Sequence, residues 1–252
     1  MKLIFLGSGS AFTVGTANYH SNMLLVSDSG QKLLIDCGSD VRHSLHEQGF
    51  SHKDVTDVYI SHLHADHCGG MEWLACEKKF NEHPIKPNLY INEALVSPLW
   101  SKIAVGLGTL QGELVNINSY FNVNAIANNE FFTWDNIEFR LIQTVHAMNG
   151  FTLIPSYGLL FTVNNKKIFI TSDTQFSPNQ IFHFYTQADL IFQDCETSIK
   201  KSGVHAHYSE LLTLADNIKS KMWLYHYNPG ILPNAVKDGF KGFVKKGDMF
   251  AF

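Results

Sequence analysis

The densest chemistry in this 252-residue chain lies in six consecutive residues, His62-Leu63-His64-Ala65-Asp66-His67, placed directly after a β-branched run. Imidazole and carboxylate are the donors that borderline divalent ions take. Four such side chains in one loop can converge on a single point or on two adjacent points. Donors of the same types recur at the ends of other extended runs: His146 after residues 139–145, Asp173 in Thr171-Ser172-Asp173-Thr174, and His226 after Trp223-Leu224-Tyr225. Singly, each is as ordinary as a hydrogen-bonded core histidine or a turn aspartate. Together, five histidines and two aspartates at strand ends predict one shared metal site, on the rim where open α/β sheets place their ligands. That many donors suits two ions sharing a carboxylate, with positions left for water.

The elements needed to hold such a rim can be read from the pattern. Extended runs are predicted over residues 2–6, 20–27, 32–35, 55–60, 89–91, 137–145, 158–163, 167–171, 188–193 and 221–225. Helices are predicted over 71–79, 93–104 and 210–218, with a short one capped by Ser39 or Asp40 and closed by Gly49. Asn164-Asn165 reads as a hairpin turn. Residues 84–129, Gly-rich from Gly106 to Gly112, read as a lid or insertion within a single domain spanning 1–252. Strands in both halves with helices interspersed predict two sheets with helices outside.

Composition narrows the function. With 45% hydrophobic, 17% charged and 13% aromatic residues, the chain is neither disordered nor fibrous. The net charge is −4, and only two of the 19 basic residues are arginine (Arg42 and Arg140), which argues against extensive docking on a nucleic-acid backbone. No run approaches the ~18 apolar residues of a membrane span, and the short apolar stretch at residues 1–7 predicts no secretory signal. Cys37, Cys68, Cys76 and Cys195 form no C-x-x-C pair, so reduced thiols in a cytoplasmic protein are expected.

In order and spacing, His62, His64, Asp66, His67, His146, Asp173 and His226 match the ligand motifs of the metallo-β-lactamase superfamily, which the chain resembles over almost its whole length. The resemblance implies an α/β fold, an αββα sandwich of two mixed sheets with outer helices and a binuclear site between the inner sheets. It implies that His62, His64 and His146 hold one ion and that Asp66, His67 and His226 hold the second. Asp173 would bridge them, with Asp36 supporting the ligands from behind. The implied cofactor is two divalent ions, zinc first and manganese second. Aspartate at 173 resembles the phosphoester hydrolases more than the lactamases, which tend to carry cysteine there.

Three segments are similar to the ribonuclease Z-like phosphodiesterases: Phe5-Leu6-Gly7-Ser8-Gly9-Ser10-Ala11, Thr171-Ser172-Asp173-Thr174 and Leu224-Tyr225-His226-Tyr227. Gln193-Asp194-Cys195-Glu196 departs from the His-Glu-Ala-Thr of ribonuclease Z itself, and no long Gly/Pro-rich arm for gripping tRNA stands out. The stretch from Gly203 to Leu211 and the run Gly239-Phe240-Lys241-Gly242-Phe243 are more similar to compact relatives that cleave cyclic nucleotides, the anti-Pycsar phosphodiesterases of phages and their bacterial homologues. This resemblance implies a homodimer whose site is closed by a lid from the partner subunit, working in the cytoplasm (the host's, if phage-encoded).

The reaction so implied is hydrolysis of 3′,5′-cyclic nucleotides, cCMP/cUMP-type immune messengers included, to nucleoside monophosphates. A ribonuclease Z-like endonuclease processing tRNA 3′ ends and a nucleotide-binding protein without catalysis are the alternatives. Two ions about 3.5–4 Å apart would lower the pKa of a shared water and neutralise phosphate oxygens for in-line attack. Asp66 is the candidate acceptor of the water proton, and His205 or His207 the candidate acid for the leaving oxygen. Tyr120, Phe121, Tyr157 and Tyr208 are candidates for stacking a base, and Ser8 and Ser10 for contacting phosphate.

Overall fold

A computed structural model describes residues 1–110 and 112–252; residue 111, inside the segment read as a lid or insertion, lies outside them. The N-terminal half builds one sheet from β1 (Lys2–Phe5), β2 (Met23–Val26), β3 (Lys32–Ile35), β4 (Asp57–Ile60), β5 (Asn88–Asn92) and β6 (Asn122–Ile126). The C-terminal half builds the other from β7 (Phe131–Trp134), β8 (Ile137–Asn149), β9 (Thr152–Val163), β10 (Lys166–Ile170), β11 (Leu190–Asp194), β12 (Met222–Tyr225) and β13 (Gly242–Phe243). A last strand, β14 (Met249–Ala251), returns to pair with β1, so the first sheet runs β14-β1-β2-β3-β4-β5-β6 and the second β13-β12-β11-β10-β9-β8-β7.

Both sheets are mixed. Pairing is parallel from β3 to β6 and from β10 to β13, and antiparallel elsewhere. The parallel strands need crossovers, supplied on the first sheet by α1 (Val41–Glu47), α2 (Ala65–Cys68), α3 (Met71–Lys79) and α4 (Glu93–Leu107). The second sheet uses α5 (Pro178–Gln187), α6 (Tyr208–Leu211) and α7 (Asp216–Lys219). The inner strands carry near-continuous apolar runs, such as Met-Leu-Leu-Val in β2 and Asp-Val-Tyr-Ile in β4, because both of their faces are covered. The two sheets meet through aromatic side chains: Phe5 of β1 packs 5.2 Å from Phe192 of β11 and 5.7 Å from Tyr225 of β12. Tyr59 of β4 donates its hydroxyl to the Tyr157 carbonyl of β9 at 2.8 Å, a polar tie across the same core. This is the αββα sandwich that the resemblance implied.

Parallel strands bring their C-terminal ends to one rim, and that is where the chemistry sits. Asp36 follows β3, Ser61 and His62 follow β4, Asp173 lies just beyond β10, Asp194 closes β11 and His226 follows β12. His146 lies within β8, where the register with β9 shifts between Val145 and Ala147. Such a bulge re-aims one side chain without ending the strand.

Several expectations are corrected. Strands β5 and β6 and helix α4 build 84–129 into the first sheet, so the segment as a whole is not a separate lid. The β8–β9 hairpin extends well past His146 to a two-residue turn at Gly150-Phe151, where Gly150 adopts φ +62, the first central position at which a hairpin turn favours glycine. The single helix expected over 210–218 is two short ones, because Ala215 is extended (ψ 147) and starts α7 afresh. The Asn164-Asn165 turn is as expected, with φ of +48 and +62. No described helix is long and apolar enough to cross a membrane.

Candidate metal centre

Two groups of donors converge at the rim and share one residue. The first holds His62, His64, His146 and Asp173, and the second Asp66, His67, Asp173 and His226. In the first, His64 Nδ1 lies 3.2 Å from His62 Nε2 and 3.0 Å from His146 Nε2, and Asp173 Oδ2 lies 3.6 Å from both Nε2 atoms. In the second, Asp66 Oδ2 lies 3.3 Å from His67 Nε2 and 3.2 Å from His226 Nε2. Asp173 Oδ1 completes that group at 3.3 and 3.6 Å from the same two nitrogens. Bonds of about 2.0–2.2 Å to one ion set donor–donor edges of roughly 3.0–3.6 Å. The donors are therefore spaced as the corners of two coordination polyhedra.

The donor chemistry fits such ions. Among the described residues, His67 Nε2 and Asp173 Oδ1 are buried with no hydrogen-bond partner, a costly state that a cation relieves. In His62, His67 and His146 the outward ring nitrogen is occupied, which turns the other lone pair inward. His67 Nδ1 donates to Asp36 Oδ2 at 2.7 Å, and His146 Nδ1 donates to the Val204 carbonyl at 2.7 Å. His62 Nδ1 meets Ser61 Oγ at 3.1 Å, and that hydroxyl donates to Asp36 Oδ2 at 2.8 Å. Asp36 thus supports two ligands, and it also accepts the Ser61 N–H at 2.8 Å.

The backbone is bent to make these contacts. Asp36, Ser172 and His226 adopt φ of +63, +53 and +64, a region that L-residues enter at a cost of order 1–3 kcal/mol. His226 is held there by its N–H, which donates to the Ser8 carbonyl at 2.8 Å. Gly38 is pressed so closely against the metal loop that a Cβ would lie 2.0 Å from the Asp66 carbonyl oxygen.

Burial and neighbouring charge set the protonation balance. Burial works against charge on both Asp66 and Asp173, yet the surrounding imidazoles hold both carboxyls well below the usual range. Burial pushes His62 down strongly, and His67 beside it pushes the same way. His226 goes the other way despite burial, raised to about 10 by Asp173, Asp194 and Asp66.

A third feature adjoins the pair. His205 Nδ1 lies 2.8 Å from Asp194 Oδ2, and Asp194 Oδ1 lies 3.4 Å from His226 Nδ1. The His205 ring stacks on that of His226 at 4.8 Å. Burial would lower His205, but Asp194 and Asp173 outweigh it and raise it. Asp194 was not singled out from the sequence; like Asp36, it is an aspartate at a strand end, and that was the available signal.

The remaining candidates separate sharply. His207 caps α6, its Nδ1 accepting the Ser209 N–H at 3.2 Å and its Nε2 donating to the Ser198 carbonyl at 2.9 Å, so it is fully engaged outside the centre. Tyr120 and Phe121 are core side chains, and the Tyr120 hydroxyl donates to the Leu107 carbonyl. Tyr157 is buried against Asn128, and Tyr208 is buried with its hydroxyl on Asp238. None of these four rings is free to stack a base. Ser8 is buried, with Oγ on Tyr227 and Asn18, so it builds the loop beneath His226 rather than meeting phosphate. Ser10 is also buried, and its Oγ has no hydrogen-bond partner among the described residues.

Comparison with known proteins agrees with this geometry. The family model described as "Anti-Pycsar protein Apyc1" matches residues 1–250. The anti-Pycsar protein Apyc1 of Paenibacillus harenae is 34% identical over 234 residues, covering 92% of this chain and 91% of the relative. That of Bacillus phage vB_BveM-Goe7 is 32% identical, covering 98% and 96%. Among solved structures, the metallo-beta-lactamase fold protein YhfI of Bacillus subtilis aligns with a TM-score of 0.77 at 20% identity, over 99% of this chain and 98% of the other. Human tRNase Z, short form, aligns at 0.72 and 17% over 100% and 99%. These structural likenesses establish a shared metallo-β-lactamase fold.

Proposed function

The chain belongs to the anti-Pycsar Apyc1 family, and from that premise and its metal centre we propose that it is a phosphodiesterase hydrolysing 3′,5′-cyclic nucleotides to nucleoside monophosphates. The observation that carries this reading is Asp173, whose two oxygens each complete a separate group of donors. The imidazole-rich sets suit zinc, with manganese also accommodated by the carboxylates. A pair of such ions supplies an acidic water and neutralises the phosphate oxygens.

The chain's own residues do the rest. Asp66, held anionic between His67 and His226, is the carboxylate placed to take the proton of the attacking water. His205, steadied by Asp194, presents Nε2 as the acid for the leaving oxygen; of the two histidines weighed for this role, only it lies against the centre. We further propose a cytoplasmic homodimer in which a partner segment covers the rim. Met148 and the fully exposed Phe151, on the hairpin beyond His146, offer apolar surface for that contact.

The test is to incubate zinc-loaded protein with 3′,5′-cyclic mononucleotides and, separately, with a precursor tRNA. Nucleoside monophosphate from the cyclic substrate is the expected result. Cleavage of the tRNA alone overturns the substrate assignment, and tight nucleotide binding without product overturns catalysis.

A further inference from the structure

Beside the second group of donors lies a polar cluster that the metal chemistry does not use. Ser10 Oγ, His20 Nδ1 and Asp40 Oδ1 are buried and have no hydrogen-bond partner among the described residues. Backbone contacts gather them: Gly9 forms a β-bridge with His20, Ser10 follows Gly9, and the His20 N–H donates to Asp40 Oδ2 at 2.9 Å. His20 Nδ1 then faces Asp40 Oδ1 at 3.4 Å.

This cluster is strapped to the metal centre at both ends. On one side the His226 N–H donates to the Ser8 carbonyl at 2.8 Å, one residue before Gly9. On the other, the Ser39 N–H, next to Asp40, donates to the Ala65 carbonyl at 3.0 Å, one residue before Asp66. His20 and Asp40 therefore sit in the strap that joins two donors of the same group. His20 is only 9% exposed, and its Nε2 has no protein partner among the described residues.

We propose that His20, backed by Asp40, is a specificity-determining residue that accepts a hydrogen bond from the ribose 2′-hydroxyl of the cyclic nucleotide, an assignment that rests on the function proposed above. A carboxylate facing Nδ1 selects the tautomer with the proton on that nitrogen, which leaves Nε2 as an acceptor. A ring nitrogen presenting a lone pair repels a phosphate oxygen and suits a hydroxyl. In a 3′,5′-cyclic ribonucleotide the O3′ and O5′ positions are both esterified, so the 2′-hydroxyl is the sugar's one free donor, one carbon from the ester under attack. The phosphodiester is already met by the ion pair and His205. A buried acceptor built for a substrate hydroxyl discriminates against the analogue lacking it, because that analogue leaves the acceptor desolvated and unpaired.

The experiment compares zinc-loaded wild type, His20→Ala, His20→Gln and Asp40→Asn on a 3′,5′-cyclic ribonucleotide and its 2′-deoxy counterpart, with metal content and thermal melting recorded for each. Wild type is expected to prefer the ribonucleotide by about tenfold or more in kcat/KM. His20→Ala should reduce that preference to about twofold or less with both ions retained, and Asp40→Asn should reduce it part of the way. His20→Gln, which restores an acceptor, should keep more of the preference than His20→Ala. An unselective wild type, or a His20→Ala variant that slows both substrates by one common factor, overturns the assignment. If wild type turns over neither substrate, it is the phosphodiesterase reading that fails. The same comparison is then made by calorimetric binding of a ribonucleoside monophosphate and its 2′-deoxy form, where equal loss of both on His20→Ala refutes the contact.

Discussion

His205 and Asp194 face each other at 2.8 Å, Nδ1 to Oδ2, and the second oxygen of the same carboxylate lies 3.4 Å from Nδ1 of the ligand His226. One buried carboxylate thus hydrogen-bonds the proposed acid and lies beside a candidate metal donor. His205→Ala should lower kcat on a cyclic nucleotide by roughly 10²–10⁴, the usual worth of a positioned acid, with two ions still bound. On a p-nitrophenyl diester, whose leaving group needs no proton, the loss should stay within about tenfold, since the acid then has little to contribute. Steady-state kinetics on the two substrates decide it, and equal losses on both would remove the acid role.

His207, two residues on, gives the opposite expectation. Its ring accepts the Ser209 N–H and anchors the Ser198 carbonyl. His207→Ala should cost about 0.5–2 kcal/mol of stability, as loss of a helix cap does. Denaturant unfolding reads that cost, and kcat should remain within about threefold of wild type because the side chain touches none of the donors. A kcat loss matching that of His205→Ala would contradict this assignment.

The contrast between these two histidines marks what the sequence could and could not convey. The donors His62, Asp173 and His226 were legible because parallel strands deliver their ends to one rim, and His64, Asp66 and His67 because they crowd the segment just beyond β4; His146 instead sits at a bulge inside antiparallel β8, and only its residue type marked it. His205 and His207 share a segment and a residue type, and only the path of the loop from Thr197 to Val204, tied down by the Glu196 carboxylate on Ser198 and Ser202, decides which reaches the centre. The aromatic candidates failed for a related reason. Tyr120, Tyr157 and Tyr208 carry hydroxyls that find partners inside the protein, so a polar tip was no sign of a surface position. Strand β6 is hard to read because Asn122 and Asn124 disguise an edge strand whose outer face is wet, whereas β7, Phe-Phe-Thr-Trp with alternating burial, is a strand signal too short to stand out.

Asp36 supports His67 directly and His62 through Ser61. Asp36→Ala should weaken metal affinity by roughly 10–100-fold, the usual effect of removing an outer carboxylate from a ligating histidine. The second group should be affected more, because its contact is direct. Competition against a coloured chelator measures this, and unchanged affinity would show that Asp36 serves the fold alone.

Gly38 meets the metal loop backbone to backbone, with no flexible side chain to move aside. Gly38→Ala should displace the Asp66 segment, lowering stability by about 1–3 kcal/mol or more, as overpacking does, and loosening the second ion. Thermal melting and metal content should fall together. An alanine variant with wild-type values of both would mean that the loop relaxes freely.

The central claim is that Asp173 joins two complete groups of donors. Elemental analysis of protein stripped by chelator, refilled with zinc and desalted tests it most directly. Two ions per chain are expected for wild type, with at most one retained by Asp173→Ala at the same protein concentration. A wild type that binds one ion or none, or an Asp173→Ala variant that keeps both, would contradict the account.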